Sequence, residues 1–179
     1  MLMRTILCFT LLVVLLFPAC KNQQLMEKEY IKRIESQIES IHTFTTDVVG
    51  LKKGDTIERV FEIYGEPVRH TVHDETYTFN TVYYEVDDVA ALTVSYFKAT
   101  NKIYTVGIGR SAPIFMKNRN LEHKLYIGMH ADELRKIFGY REFGIGNSLR
   151  YENRELILEF TCSAYNEYKC SEYLVYWRD

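Results

Sequence analysis

The chain has 179 residues, of which 47% are hydrophobic and 26% are charged, with 22 basic and 24 acidic side chains. The formal charge of −2 and the lack of a basic run argue against a nucleic-acid partner, because clustered Lys and Arg bind phosphate backbones. The length fits one domain or two small ones.

Residues 1–19 have the layout of an export signal. Arg4 precedes an apolar run over residues 6–17, which is shorter than the roughly 20 residues that a membrane-spanning helix needs. The run ends in Phe-Pro-Ala-Cys at residues 17–20, which resembles the lipobox of bacterial lipoproteins. This resemblance implies cleavage before Cys20 and stable anchoring in the membrane by acyl chains on its thiol. Two alternatives remain: an ordinary secretory peptide whose Cys20 pairs elsewhere, and an uncleaved anchor.

The lipobox also predicts the compartment. A lipoprotein belongs to the bacterial cell envelope, and Lys21 is not the inner-membrane retention signal of some lipoproteins. We therefore expect the outer membrane, with the protein facing the periplasm. Loss of residues 1–19 removes one base and leaves 160 residues with 21 bases against 24 acids, formally −3.

Two cysteines remain once Cys8 is cleaved off and Cys20 is acylated, namely Cys162 and Cys170. An even number in an exported protein predicts one disulfide. Closing a loop of about nine residues would contribute roughly 2.5 kcal/mol in the chain-entropy model. A redox or metal-binding pair is the alternative, but seven intervening residues differ from the Cys-x-x-Cys spacing of such sites.

Residues 20–49 are predicted to form a lipid-anchored spacer with an amphipathic helix over 21–48. Isoleucines recur there at helical spacing, at Ile31, Ile34, Ile38 and Ile41. The helix either docks on the globular part or lies on the membrane surface. Its mixture of acids and bases favours docking.

Two later segments share one pattern, in which ten residues of helical periodicity lie between two glycines. The first runs from Gly54 to Gly65 and the second from Gly128 to Gly139, 74 residues further along the chain. Apolar residues fall on one face of each segment, and the closing Gly suits the left-handed conformation that ends many helices. Each segment therefore predicts a short amphipathic helix.

After each helix the hydrophobic period changes to two. Alternating runs rich in Tyr, Val and Thr predict strands over residues 77–86, 91–97 and 102–109, and then over 148–152, 155–161 and 172–177. We therefore predict an α+β fold of two tandem repeats, 50–123 and 124–179. Each is a helical N-terminal element followed by an antiparallel β-meander.

The segments KKGDTIERVFEIYGEP (52–67) and YIGMHADELRKIFG (126–139) carry a family resemblance. They resemble the Gly-Met-Thr, helix, Gly element shared by the β-lactamase inhibitor protein and the small lipoprotein of the outer-membrane β-barrel assembly machine. The inhibitor carries the element twice and ends shortly after a Trp, as this chain does after Trp177. The resemblance implies the same fold, with an assembly-accessory or inhibitor-like role.

Side-chain alternation predicts which sheet face the helices leave uncovered. In the first repeat Tyr104 falls on the covered face. In the second, a disulfide needs both cysteines on one side, which places Leu174 and Tyr176 inward and Val175 outward. Exposed aromatic surface usually marks an interaction site, although aromatic residues also suit strands and the repeats could pack over them. The residues predicted to face outward and bind a partner are Tyr77, Phe79, Tyr83, Phe97, Tyr173 and Trp177.

No recognisable catalytic motif occurs in the sequence. His70 and His73 lie three residues apart, so on a strand they would point to opposite faces, and no third ligand has metal-site spacing. Residues 143–147 lack the third Gly of a nucleotide-binding loop. We therefore expect no enzyme, no metal and no cofactor.

Together these patterns predict a cell-envelope lipoprotein that acts as a protein-binding module. Its partner would be an unidentified envelope protein, bound through the aromatic sheet faces. The alternative is an envelope sensor that binds a small apolar ligand between the repeats.

Overall fold

The structure, a computed structural model, describes residues 47–144 and 147–178 and the separate positions 26, 28, 29, 31, 32, 35, 39, 41 and 44. The chain divides into two compact units, Met1–Ile38 and Glu39–Asp179. In the first unit every described residue is helical and exposed. The export signal, Cys20, Ile34 and Ile38 lie outside the described residues.

Besides the helical positions 39, 41 and 44, the described residues of the second unit include three short helices, α1 (Ile57–Tyr64), α2 (Ala112–Asn118) and α3 (Ala131–Phe138). The first and third are the predicted pair. Each ends at a Gly with positive φ, 74° at Gly65 and 97° at Gly139, where a side chain would be strained. The second was not predicted, and it begins with Pro in its first turn.

Seven strands form one antiparallel sheet in the order β1-β2-β3-β4-β7-β6-β5. Their bounds are β1 Arg69–Thr71, β2 Phe79–Val86, β3 Val89–Phe97, β4 Ile103–Ile108, β5 Ser148–Glu152, β6 Leu156–Ser163 and β7 Lys169–Trp177. A short 3₁₀ helix, Ala164–Asn166, joins β6 to β7. Because β4 pairs with β7, the strands of both predicted repeats share this sheet. The α+β fold class is confirmed.

All three helices pack on one side of the sheet, which we call the inner face. Tyr64 of α1 and Phe115 of α2 both contact Tyr84, with ring centroids 5.7 and 5.5 Å apart. Phe138 of α3 contacts Phe160 of β6 at 5.3 Å. The core therefore lies between one sheet face and one helical layer.

Residues before α1 complete this core. The side chains of Phe44, Val48 and Val49 are buried, although sequence analysis assigned them to the spacer. The Trp177 indole Nε1 donates to the Phe44 carbonyl at 3.0 Å, and the Tyr64 hydroxyl donates to the Val49 carbonyl. These bonds tie the segment to the sheet and to α1.

A β-bulge in the β3–β4 hairpin changes the face of one predicted core residue. Ser95 pairs with Thr105 but Tyr96 pairs with Ile103, so Tyr104 is an extra residue on its strand. A bulge interrupts the simple alternation of faces. The prediction that Tyr104 faces inward is therefore wrong, and its ring instead stacks on Phe97, which has outward parity.

The β6–β7 hairpin has a bulge at the corresponding place. Thr161 pairs with Glu172 and Cys162 pairs with Cys170, which leaves Ser171 as the extra residue. As a consequence, two residues on opposite sides of Ser171 share a sheet face when they lie an odd number of positions apart, rather than an even number.

Candidate binding surface and cysteine pair

The side of the sheet opposite the helices, the outer face, carries a contiguous group of aromatic rings. We call it the aromatic strip, and it consists of His73, Tyr77, Phe79, Phe97 and Tyr104. The His73 ring lies 5.0 Å from Tyr77 and 4.9 Å from Phe79. Phe79 is 5.7 Å from Tyr104, which stacks on Phe97 at 4.6 Å. These offset and edge contacts hold the rings as one surface.

The strip combines solvent exposure with partial burial. Tyr77 is 49% exposed, whereas the other four side chains are half-buried by their neighbours. Partial burial raises the pKa of Tyr104 above its ordinary value.

Tyr83 also faces outward, but it stands apart from the strip. The Arg69 guanidinium carbon lies 4.0 Å above the centre of its ring, and Arg69 forms a 3.4 Å ion pair with Glu85. The outward orientation predicted for Tyr83 is confirmed, with a cation covering part of the ring. The exposed surface at this position therefore combines the Tyr83 ring with the Arg69 guanidinium.

The outward orientation predicted for Tyr173, Val175 and Trp177 is wrong. These residues are 1%, 0% and 6% exposed, respectively. Tyr173 lies 6.3 Å from the Phe44 ring, and Trp177 is bonded to the Phe44 backbone. The physical reason is the extra residue Ser171, because parity counted from the cysteines reverses after it.

The outer face of β7 consequently carries two residues that had been predicted to face inward. Leu174 and Tyr176 are half-buried there, and Tyr176 pairs with Ile157. Glu159 pairs with Leu174 on one side and with Arg150 on the other. This half of the outer face is more charged and less aromatic than the strip.

Cys162 and Cys170 face each other across the β6–β7 hairpin on the inner face, and both are buried. They are free thiols in this structure, so the predicted disulfide is not formed here. Hydrogen bonding from the Cys170 thiol lowers the pKa of Cys162. The same contact, together with burial, raises the pKa of Cys170. Cys162 is therefore the more acidic of the two thiols.

His70 and His73, which the sequence analysis considered as metal ligands, lie in different surroundings. His70 Nε2 lies 2.8 Å from the Tyr96 hydroxyl, at the β1 edge of the sheet, whereas His73 belongs to the aromatic strip. Within the described part of the chain, no three His, Cys, Asp or Glu side chains converge as a metal site would require.

No protein-family model matches the chain, and no curated protein shows significant similarity to it. Among solved structures, a cysteine-rich secretory protein from Staphylococcus aureus is similar, with a TM-score of 0.48 and 13% sequence identity. The match covers 74% of this chain and 47% of the other, so the present chain spans about half the length of that protein.

Among the helices of the described residues, none is both long and apolar enough to cross a membrane.

Proposed function

We propose that this chain is a lipoprotein of the bacterial cell envelope that works as a protein-binding module. Acylated Cys20 would hold it in the outer membrane, and the aromatic strip with Tyr83 would dock on an envelope protein in the periplasm. The observation that supports this proposal is the contiguous aromatic surface on the sheet face opposite the three helices. Tyr and Trp dominate the energetics of protein interfaces, and large exposed apolar surface usually marks an interaction site.

We also propose that residues 50–123 and 124–179 are tandem repeats of one α+β unit. In each half a strand tyrosine donates to the Gly carbonyl that ends the helix, from Tyr84 to Gly65 at 2.8 Å and from Tyr151 to Gly139 at 3.0 Å. A β-bulge also lies at the corresponding place in each half, in the β3–β4 hairpin and in the β6–β7 hairpin. This recurrence supports the resemblance to the β-lactamase inhibitor and assembly-lipoprotein family, and with it an assembly-accessory or inhibitor-like role.

The test of the binding surface is site-specific photo-crosslinking in cells. A photoreactive amino acid would replace Tyr77 or Tyr83 on the outer face, and Tyr140, which is 64% exposed, as the matched control. We expect one discrete adduct from the first two positions and none from Tyr140. Equal yields at all three positions would contradict the proposed surface.

The partner in that adduct distinguishes the two roles. An assembly accessory would crosslink to envelope machinery, whereas an inhibitor would crosslink to a hydrolase and abolish its activity at a near-stoichiometric ratio. Removal of the lipid by Cys20→Ser should release the protein from the membrane fraction. Retention of Cys20→Ser in the membrane would contradict lipid anchoring.

A further inference from the structure

An open cleft of about 400 Å³ lies at the end of the sheet where β4 and β7 separate. Thr105 and Tyr176 form the last ladder pair, and the next residues outward, Tyr104 and Trp177, both line the cleft. Its volume is within the range of small-molecule sites.

One wall of the cleft is aromatic. Tyr104 and Phe97 are stacked with centroids 4.6 Å apart and planes inclined by 26°. The indole Nε1 of Trp177 is already bonded to the Phe44 carbonyl, so the ring offers carbon surface to the cleft. This wall suits a planar apolar group.

Two exposed lysines, Lys53 and Lys102, also line the cleft and give it positive charge beside the aromatic wall. The cleft lining includes no acid. Nearby acids are engaged elsewhere, because the carboxylate of Asp55 accepts from the Lys52 amide at 3.0 Å and that of Glu58 accepts from the Asn101 side chain at 3.0 Å. Across the residues described, neither lysine forms an ion pair.

We propose that this cleft binds a small anion carrying a planar apolar group, such as an aryl phosphate or aryl carboxylate. The planar group would lie along Tyr104 and Trp177, and the anion would meet Lys53 and Lys102. A lysine ammonium is a compact charge on a flexible stem and so can follow an anion at the mouth of an open cleft. Two lysines without an ion pair among the described residues lie beside the aromatic wall, and they favour an anionic ligand over the purely apolar one that the sequence suggested. Phe97 and Tyr104 belong both to the cleft wall and to the aromatic strip, but the inference requires no docked protein.

The test uses the fluorescence of Trp177, which is the single Trp of the chain. The full chain in detergent is titrated with phenyl phosphate, and separately with phenol and with inorganic phosphate, which each carry half of its chemistry. We expect a saturable response to phenyl phosphate with a Kd at least about tenfold below that of either half, because ring and charge contribute together. Calorimetry with the same three probes would detect binding that leaves the fluorescence unchanged.

Variants of the lysines decide whether the charge matters. Lys53→Gln and Lys102→Gln should each weaken phenyl phosphate binding by about twofold to fivefold, the effect of one exposed ion pair. Lys117→Gln, an exposed lysine on α2 outside this cleft, should leave the Kd unchanged. The proposal would be overturned by no saturable binding, by equal Kd values for phenol and phenyl phosphate, or by an unchanged Kd in the Lys53→Gln, Lys102→Gln double variant.

Discussion

The β3–β4 and β6–β7 hairpins have the same backbone arrangement but different side chains at its centre. Each is tied to the loop before a helix: the Ile103 amide donates to the Asp55 carbonyl at 2.9 Å, and the Cys170 amide to the Met129 carbonyl at 2.8 Å. The cross-strand neighbour of Ile103 is Tyr96, whereas that of Cys170 is a second cysteine, Cys162. The hydrogen-bonded framework therefore sets the geometry, and the side chains within it can differ in chemistry.

The starts of α1 and α3 differ in a related way. In α3 the His130 side chain accepts from the Asp132 amide at 3.1 Å, and the Glu133 carboxylate accepts from the His130 amide at 3.2 Å, which forms a capping box. The cap residue of α1, Thr56, makes no such side-chain bond. The first amide of each helix donates to the adjoining hairpin, from Ile57 to the Asn101 carbonyl at 2.9 Å and from Ala131 to the Tyr168 carbonyl at 3.0 Å. The start of α3 therefore has both this bond and a capping box, whereas that of α1 has the hairpin bond without the box.

The largest expected effect tests the faces of β7. Tyr173→Ala should lower the free energy of unfolding by about 3–5 kcal/mol, the usual cost of truncating a large buried ring. Tyr176→Ala, on the outer face of the same strand, should cost about 1 kcal/mol or less. Urea unfolding of the reduced protein measures both. Similar losses in the two variants would contradict the face assignment.

How far the sequence predicts this fold depends on periodicity. The helices α1 and α3 and the longer strands have clear periods, so their existence and type could be predicted. The three-residue β1 is too short for a period, and the seven residues of α2 span barely two turns. These two elements were missed because so few residues carry almost no pattern.

The binding surface was predictable only where alternation is uninterrupted. Phe79, Tyr83 and Phe97 lie in the uninterrupted part of the β2–β3 ladder, on one side of the bulge at Tyr84/Glu85, and their outward parity is confirmed. Tyr77 precedes β2. Tyr173 and Trp177 were misassigned because the bulge falls at Ser171, which does not carry the Gly that marks some bulges in a sequence.

The second prediction concerns the contrast between the hairpins. Both backbone groups of Cys170 are bonded to residues 128 and 129, away from β6, so its pair with Cys162 is the non-hydrogen-bonded kind. Such pairs have Cα atoms about 4.5 Å apart, within the range for a disulfide. Mild oxidation should therefore consume both thiols and stabilise the protein by roughly 2.5 kcal/mol. Thiol titration in denaturant and urea unfolding, with and without reductant, measure this.

Two variants control that experiment. Cys162→Ala with Cys170→Ala should abolish the effect of oxidant on stability. Tyr96→Cys with Ile103→Cys, made in this double-Ala background, should restore it in the first half, because the register is equivalent. Persistence of two free thiols after oxidation of the parent protein would contradict the predicted bridge.

The smallest effect comes from the contact that both halves share. Tyr84→Phe and Tyr151→Phe each remove a hydroxyl that donates to a helix-ending carbonyl, and each should cost about 1 kcal/mol at neutral pH. Similar losses would show that the two contacts are equivalent. A loss confined to one variant would show that the halves use the contact differently.

The raised pKa values of the same two tyrosines predict how the stability of the fold depends on alkaline pH. Burial raises the pKa of Tyr84 and of Tyr151 from 10.0 to about 12, so the folded protein keeps protons that the unfolded chain releases. Their contribution to stability is complete below pH 10 and is lost as the pH rises from 10 to 12. The double Phe variant should therefore lose stability less steeply over that interval, as urea unfolding at several pH values would measure.

Tyr64 and Tyr173, whose pKa is also raised by burial, would maintain part of the dependence of stability on pH. A double variant with the slope of the parent protein would show that the two phenols do not control the alkaline transition.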